Sequence, residues 1–172
     1  MSQPFAQGVV AALALVLSTA LPAAAQDDRH GVVGLGPSFL AWGDYSTMGT
    51  GVSVDLAHPF ANQTSGPLRW AVDFGIFRDG DETDSLVLGG VRLSFPVGAR
   101  VNIDVQGLLG VAHWESFGNG ATGFTGGPGA AVRFWLTDRI GVKGQVDYQI
   151  PKWDYGNLYR TWIGLVFGLS PG

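Results

Sequence analysis

Tyr159-Arg-Thr-Trp-Ile-Gly-Leu-Val-Phe-Gly-Leu-Ser170 alternates without a break. Thr161, Ile163, Leu165, Phe167 and Leu169 fall on one side of an extended chain, and Arg160, Trp162, Gly164, Val166 and Gly168 fall on the other. Successive side chains of a strand point to opposite faces, so a period of two sustained over this length predicts a strand. One face suits hydrocarbon; the other carries an arginine and glycines. A final strand of this kind predicts a barrel that closes by pairing it with the first strand, at 30–42.

Seven more segments upstream share the pattern: 30–42, 50–58, 68–77, 85–95, 101–112, 127–136 and 140–150. The clearest sets Leu68, Trp70, Val72, Phe74 and Ile76 against Arg69, Ala71, Asp73, Gly75 and Phe77. Between the segments stand stretches rich in turn residues, at 43–49, 59–67, 79–84, 96–100, 115–123, 137–139 and 151–158. Pro128 has no N–H to donate, which predicts a bulge or a late-starting ladder at the head of the sixth segment. Eight alternating segments of about ten residues with turns between them are the pattern of a membrane β-barrel. The expected fold is all-β: an eight-stranded antiparallel up-and-down transmembrane β-barrel. Closure also removes the unpaired edges that would otherwise aggregate.

The first 25 residues read as a leader. An apolar run from Val9 to Leu21 is followed by Pro22 and Ala23-Ala24-Ala25, a small-residue cleavage signal that puts the cut before Gln26. No Lys or Arg precedes the run, and the run is short for a membrane-spanning helix. The expected organisation is therefore a signal peptide at 1–25 and one barrel domain at 26–172. The chain has no cysteine, which removes disulfides and thiol chemistry. Its formal charge of -4 gives no basic face for a nucleic-acid partner. Charged residues make up 14% of the chain, low against roughly 25% in soluble domains.

Charge placement separates a membrane barrel from a soluble one. Asp55, Arg69, Asp73, Arg92, Asp104, Arg133, Lys143, Asp147 and Arg160 all fall on the polar faces of strands two to eight, with the two signs mixed. The rest of those faces reads largely as Gly, Ala, Ser, Asn and Gln, which suits a narrow interior. An eight-stranded barrel has an interior just wide enough for side chains to fill. Isolated charges there cost several kcal/mol each, so the expectation is an Arg/Asp network plugging the lumen. With the N-terminus on the periplasmic side, Phe60, Trp70, Phe95, Phe134 and Phe167 fall near one level, and Tyr148, Trp153, Tyr155 and Tyr159 near the other. Two such belts are the aromatic girdles of a membrane barrel. This orientation makes 43–49, 79–84, 115–123 and 151–158 extracellular and the remaining turns periplasmic.

On these residues, from about Gly31 to Leu169, the chain resembles the small bacterial outer-membrane barrels of the OmpA/OmpX and opacity-protein type. Its terminal 159–169 strand looks like the assembly signal of such proteins, although Ser170-Pro171-Gly172 stands where they end on an aromatic residue. The resemblance implies an outer-membrane location after export, with the lipid bilayer and the barrel-assembly machinery as partners. The roles it implies are envelope structure, surface interaction or adhesion, or small-solute passage.

Candidate chemistry is sparse. His113-Trp114-Glu115-Ser116 places His113 and Glu115 on one face with a hydroxyl nearby, the residue types of a serine hydrolase at the outer rim. Adjacency along a strand sets them side by side and not in a triad, so an interfacial His and Glu is the preferred reading and no catalytic residue is expected. A zinc site needs three or four ligands, and His30 and His58 are expected at the opposite rim, so no metal is expected. The glycine runs at 31–36 and 126–129 lack the strand-loop-helix setting of a phosphate cradle, and suit tight barrel curvature instead. The acidic 79–84 loop is too short for a twelve-residue calcium loop. No cofactor is expected. The leading expectation is a non-enzymatic outer-membrane barrel. The alternatives are a narrow solute channel, a lipid-modifying hydrolase at His113, and a soluble lipocalin-like barrel.

Overall fold

The computed structural model describes residues 31–43, 48–60, 67–116, 119–151 and 156–169. Eight strands follow in order: β1 (Val32–Trp42), β2 (Met48–Pro59), β3 (Leu68–Asp79), β4 (Glu82–Pro96), β5 (Val101–Ser116), β6 (Asn119–Trp135), β7 (Ile140–Pro151) and β8 (Leu158–Gly168). Each is antiparallel to the next, and β1 also pairs with β8, so the sheet closes into a barrel. Val33 faces Phe167, Leu35 faces Leu165 and Ala41 faces Tyr159 across the closing seam. The expected closure by the terminal strand is what the structure contains. The leader at 1–25, His30, Trp153, Tyr155 and residues 170–172 lie outside the described residues.

The strands are longer than alternation alone predicts at one end of the barrel. Residues 115–123, expected as a loop, are mostly ladder: β5 runs on to Ser116, β6 begins at Asn119, and Glu115 pairs with Gly120. Glycine content hid this, because Gly120 and Gly123 look like turn residues yet sit opposite partners in register. The 79–84 loop is likewise a tight turn, with Asp79 opposite Glu82 and Gly80 at a φ of 60° that a residue without Cβ adopts readily. At the other barrel end the turns are short. The Thr137 hydroxyl accepts from the amides of Arg139 and Ile140, fixing the β6–β7 turn.

Pro128 does not produce a bulge or a late start. Along β6–β7 the pairing passes Gly126↔Ile150, lapses at Gly127 and Pro128, and resumes at Gly129↔Asp147 in the same register. The closing seam behaves alike around Gly36 and Pro37. Proline cannot donate to the ladder, but the glycine before it lets the backbones stay close. A Cβ on Gly36 would lie 2.1 Å from the Ile163 carbonyl oxygen, and one on Gly127 2.0 Å from that of Tyr148.

Burial alternates along the strands, and it is inverted relative to a soluble protein. Outward positions carry Leu35, Phe39, Val52, Val54, Val72, Phe74, Ile76, Val87, Val91, Val105, Val132, Val142, Val146, Ile163 and Leu165, all exposed. Charge lies inside. The outer apolar surface stops at Arg78, Ser85, His113 and Thr122 on β3–β6, above which the outward positions of β4, β5 and β6 carry Thr83, Glu115 and Gly120.

Candidate functional site

The lumen is the chemically dense part of the barrel. Asp55, Arg69, Asp73, Arg92, Asp104, Arg133, Lys143, Asp147 and Arg160 are each buried to 2% exposure or less. They stand on strands β2 to β8 at inward positions, where strand parity sends every second side chain into the interior.

Three carboxylates organise most of the ion pairs. Asp55 accepts from both terminal nitrogens of Arg92, at 3.1 and 2.5 Å, and from Lys143 Nζ at 2.7 Å. Asp147 Oδ2 accepts from Arg160 Nε and Nη2 at 3.0 and 2.6 Å. Asp73 faces the same guanidinium bidentately, at 2.6 and 2.7 Å. Gln106 joins the two groups: Arg92 Nε donates to its oxygen at 2.8 Å, and its nitrogen donates to Asp147 Oδ1 at 2.7 Å. Gln145 ties Asp73 to Asp147 by donating to both. The result is one connected network from Lys143 through Asp55, Arg92, Gln106 and Asp147 to Arg160 and Asp73. A further pair, Arg133 with Asp104, is bidentate at 2.9 Å for each bond and also reaches Ser94.

Forked arginine–carboxylate pairs of this kind combine geometric fit with charge-assisted strength. They are what a dry interior requires, since a buried charge costs several kcal/mol unless paired and hydrogen-bonded. Two further contacts hold the cations: Lys143 Nζ lies 5.0 Å from the Trp162 ring centroid and Arg133 lies 5.7 Å from that of Trp135. Both indoles are anchored, Trp135 Nε1 donating to Asn102 Oδ1 and Trp162 Nε1 to the Ser53 carbonyl oxygen.

The nine charges expected from the sequence are joined by bridging groups that the charge pattern does not single out. Gln106, Gln145, Ser94 and Asn102 share the inward parity of the charges, which was the available signal. Gly129 is a less visible component. A Cβ there would fall 2.0 Å from Asp147 Oδ1 and 3.1 Å from Gln106 Nε2, so its missing side chain is the space the network's centre occupies. Nor is the lumen polar throughout. Val32, Trp135, Trp162 and Val166 form an apolar layer towards the short-turn end. Leu40, Phe77, Leu86, Ala112, Trp114 and Leu158 belong to a second apolar cluster, towards the long-loop end.

The aromatic residues sit at two levels in the register. Phe95, Phe134 and Phe167 are exposed near the short-turn end, and Trp70 stacks on His58 there at 5.8 Å. Tyr148 and Tyr159 pair across β7–β8 towards the long-loop end, their rings 5.2 Å apart.

At the long-loop rim, His113 faces Ser85 on β4 and Thr122 on β6, and its Nδ1 is 2.7 Å from the Thr122 hydroxyl. Glu115 is exposed on the same outer face two residues on, while the side chain of Ser116 lies outside the described ones. The hydroxyl beside the imidazole is thus that of Thr122. Asp84, half-buried at the end of β4, has its pKa raised to about 6 by burial, with Glu82 and Asp79 adding repulsion and the Glu115 amide and His113 opposing it. Among the described residues no group of three or more His, Cys, Asp or Glu is arranged to hold a metal ion.

No protein-family model matches the chain, and no curated protein resembles it closely enough in sequence to count as a relative. Solved structures do match its fold. Neisserial surface protein A superposes with a TM-score of 0.61 at 12% identity, covering 81% of this chain and 95% of the other. The N-terminal β-barrel domain of Pseudomonas aeruginosa OprF gives 0.57 at 15%, covering 80% and 97%. Ail, the attachment invasion locus protein of Yersinia pestis, gives 0.54 at 17%, covering 81% and 97%. The fold is that of the eight-stranded outer-membrane barrels.

Proposed function

We propose that this chain is an integral outer-membrane protein without enzymatic activity, whose barrel serves envelope structure or surface attachment and whose lumen is closed by its own ion-pair network. The observation that carries this reading is the inversion of the wall: an exposed apolar exterior encloses nine buried charges. Lipid is the solvent that such an exterior requires, since a membrane barrel sets an apolar band outward and flanks it with aromatic girdles. In this orientation the short turns face the periplasm and the tall β5–β6 hairpin stands outside.

The closed lumen favours attachment or structure over transport. Eight strands leave little room beyond their own side chains, and here Arg92, Arg133, Lys143 and Arg160 are fully buried across it. Among the fold neighbours, Ail bears attachment in its name, and one of its structures holds the heparin analogue sucrose octasulfate. The described outer rim of this chain carries five acidic residues, Asp79, Asp81, Glu82, Asp84 and Glu115, against Arg78 and His113. Such a rim repels a polyanion, so any surface partner we propose presents cationic or neutral groups.

Reconstitution into planar bilayers tests the closed lumen. The wild-type protein is expected to insert and to pass no measurable current, and Arg92→Ala, which removes a buried bidentate partner of Asp55, is expected to open intermittent conductance. Steady wild-type conductance refutes the plug. Recovery of the protein in the soluble periplasmic fraction refutes the membrane location.

A further inference from the structure

We propose that the lumen holds an ordered water molecule between the Gln149 amide and the Thr125 hydroxyl, in a niche on the long-loop side of the ion-pair network. This inference rests on the closed lumen proposed above, because a trapped water needs walls that keep bulk solvent out.

The described glutamines, Gln106, Gln145 and Gln149, all face the lumen, and they are not alike. Gln106 engages both ends of its amide in the network, and the Gln145 nitrogen donates to two carboxylates. Gln149 is fully buried, yet among the described residues neither its amide oxygen nor its nitrogen has a hydrogen-bond partner. The Thr125 hydroxyl, on the neighbouring strand and 4% exposed, is unpartnered among them as well. Buried side-chain polar atoms find a partner in protein or in ordered water. An amide that finds neither loses its hydration with no compensating bond.

The two groups are neighbours. With Gly126 opposite Ile150, Gly127 comes opposite Gln149, while Thr125 pairs with Pro151. Thr125 is therefore the diagonal neighbour of Gln149 on the inward face, about 7–8 Å away between backbones. Their side chains do not bond each other, and water is the group that spans such a gap. Room for it comes from the wall. The inward positions beside the pair are Gly110, opposite Thr125, and Gly127. A Cβ on Gly110 would lie 1.9 Å from the Val87 carbonyl oxygen, and one on Gly127 2.0 Å from that of Tyr148. The strands approach too closely there for any side chain, so two adjacent inward positions add none to the lumen.

The surroundings select the guest. Leu158, Leu108 and Leu88 stand in the same rows, and Leu86 and Ala112 stand one level further out; all five are buried in the outer apolar cluster. On the other side Asp147, two residues before Gln149 on β7, is held by Arg160, Gln106 and Gln145. A guest in this niche is small, accepts from the Gln149 nitrogen and donates to the Thr125 oxygen. Water does both, and two polar partners suffice to hold a buried one.

Solution NMR of the full chain in lipid nanodiscs tests this. The side-chain amide of wild-type Gln149 is expected to show dipolar cross-peaks to water, of opposite sign in NOE and ROE spectra, as a long-lived bound water gives. Exchange of the proton itself gives one sign in both. Thr125→Val keeps the shape and removes the hydroxyl. It is expected to weaken the cross-peak by about half, since the water keeps one partner of two, and Thr125→Ser is expected to restore it. Thr125→Ala serves if the valine variant does not fold. Gln106, whose amide is engaged by Arg92 and Asp147, is expected to show no such cross-peak. A Gln149 amide without a dipolar cross-peak, or with one that loss of the Thr125 hydroxyl leaves unchanged, overturns this inference alone. Cross-peaks of equal strength at Gln106 reveal water along the ion-pair level, and overturn the closed lumen on which the inference rests.

Discussion

Arg160→Met is the substitution that most directly asks whether the lumen is dry. Arg160 is fully buried and donates four hydrogen bonds, two to Asp73 and two to Asp147. Methionine removes the charge and keeps an unbranched side chain. Gln145 still donates to Asp73, and Gln106 and Gln145 still donate to Asp147. Removing one partner of a buried ion pair costs about 3–5 kcal/mol, because the orphaned charge stays out of water. Two carboxylates are affected here, so the expected loss lies at the upper end of that range. Exposed pairs give ~0–1 kcal/mol, which supplies the contrast. Equilibrium urea unfolding from lipid vesicles, followed by tryptophan fluorescence, measures the difference, with the exposed Arg78→Met as the surface control. A loss below about 1 kcal/mol, indistinguishable from the control, refutes the reasoning: water would then be solvating the carboxylates, and the lumen would be an aqueous path and not a plug.

Gly129→Ala is expected to destabilise the barrel as well, because its Cβ collides with an Asp147 carboxylate that other bonds hold in place. Gly107→Ala, with nothing within 4 Å of its Cβ, is expected to be close to neutral in the same unfolding assay. The outer ends of β4 and β5, paired beside Asp84, are expected to be more protected at acid pH. Burial and acidic neighbours raise the pKa of Asp84 in the folded state to about 6 from 3.8, so the folded state binds more protons between those values. The stabilisation is complete below pH 3.8 and is lost as pH rises through 6. Amide exchange at residues 82–86 and 112–116, corrected for intrinsic rates, reads this out, and Asp84→Asn is expected to flatten the profile.

Alternation made most of the architecture legible. One face of each strand is apolar and the other is not, and that contrast fixed strand number, order and parity for Arg69, Asp73, Lys143 and Arg160 alike. It said nothing of partners across the lumen, because those depend on how far each strand is staggered around the closed wall. Asp55 meets Lys143, 88 residues later in the chain. Strand ends were harder to read, since the 115–123 hairpin extends as ladder with residues of turn-like composition. The apolar layers at Trp135 and Trp162 and at Leu86 and Leu158 were obscured because an apolar residue at an inward position does not break the pattern visibly. The rim hydroxyl at Thr122 was missed for a related reason: it comes from the neighbouring strand, while Ser116 was nearer in sequence to His113.

The lumen charges also have a consequence for folding. An apolar filling of Leu and Met would pack the interior without the desolvation cost of ion pairs, and such replacements are often neutral or stabilising by about 1–4 kcal/mol. It would, however, make both faces of a strand alike. A one-residue slip in a barrel wall turns every side chain to the opposite face. In β7 that slip would send Lys143 and Asp147 outward, and in β3 it would send Arg69 and Asp73. A basic residue at the bilayer midplane costs ~2–4 kcal/mol, so a slip of either strand is strongly disfavoured. With apolar residues inside, the same slip costs little. Replacing Arg160, Asp73 and Asp147 together by Met, Leu and Leu is therefore expected to recover much of the stability lost in Arg160→Met alone. It is also expected to lower the fraction of chains that refold into vesicles with wild-type compactness, measured as the protease-resistant fraction. A wild-type refolding yield for the triple variant would show that register is set elsewhere, by the turns at Gly80 and Thr137 or by the aromatic belts.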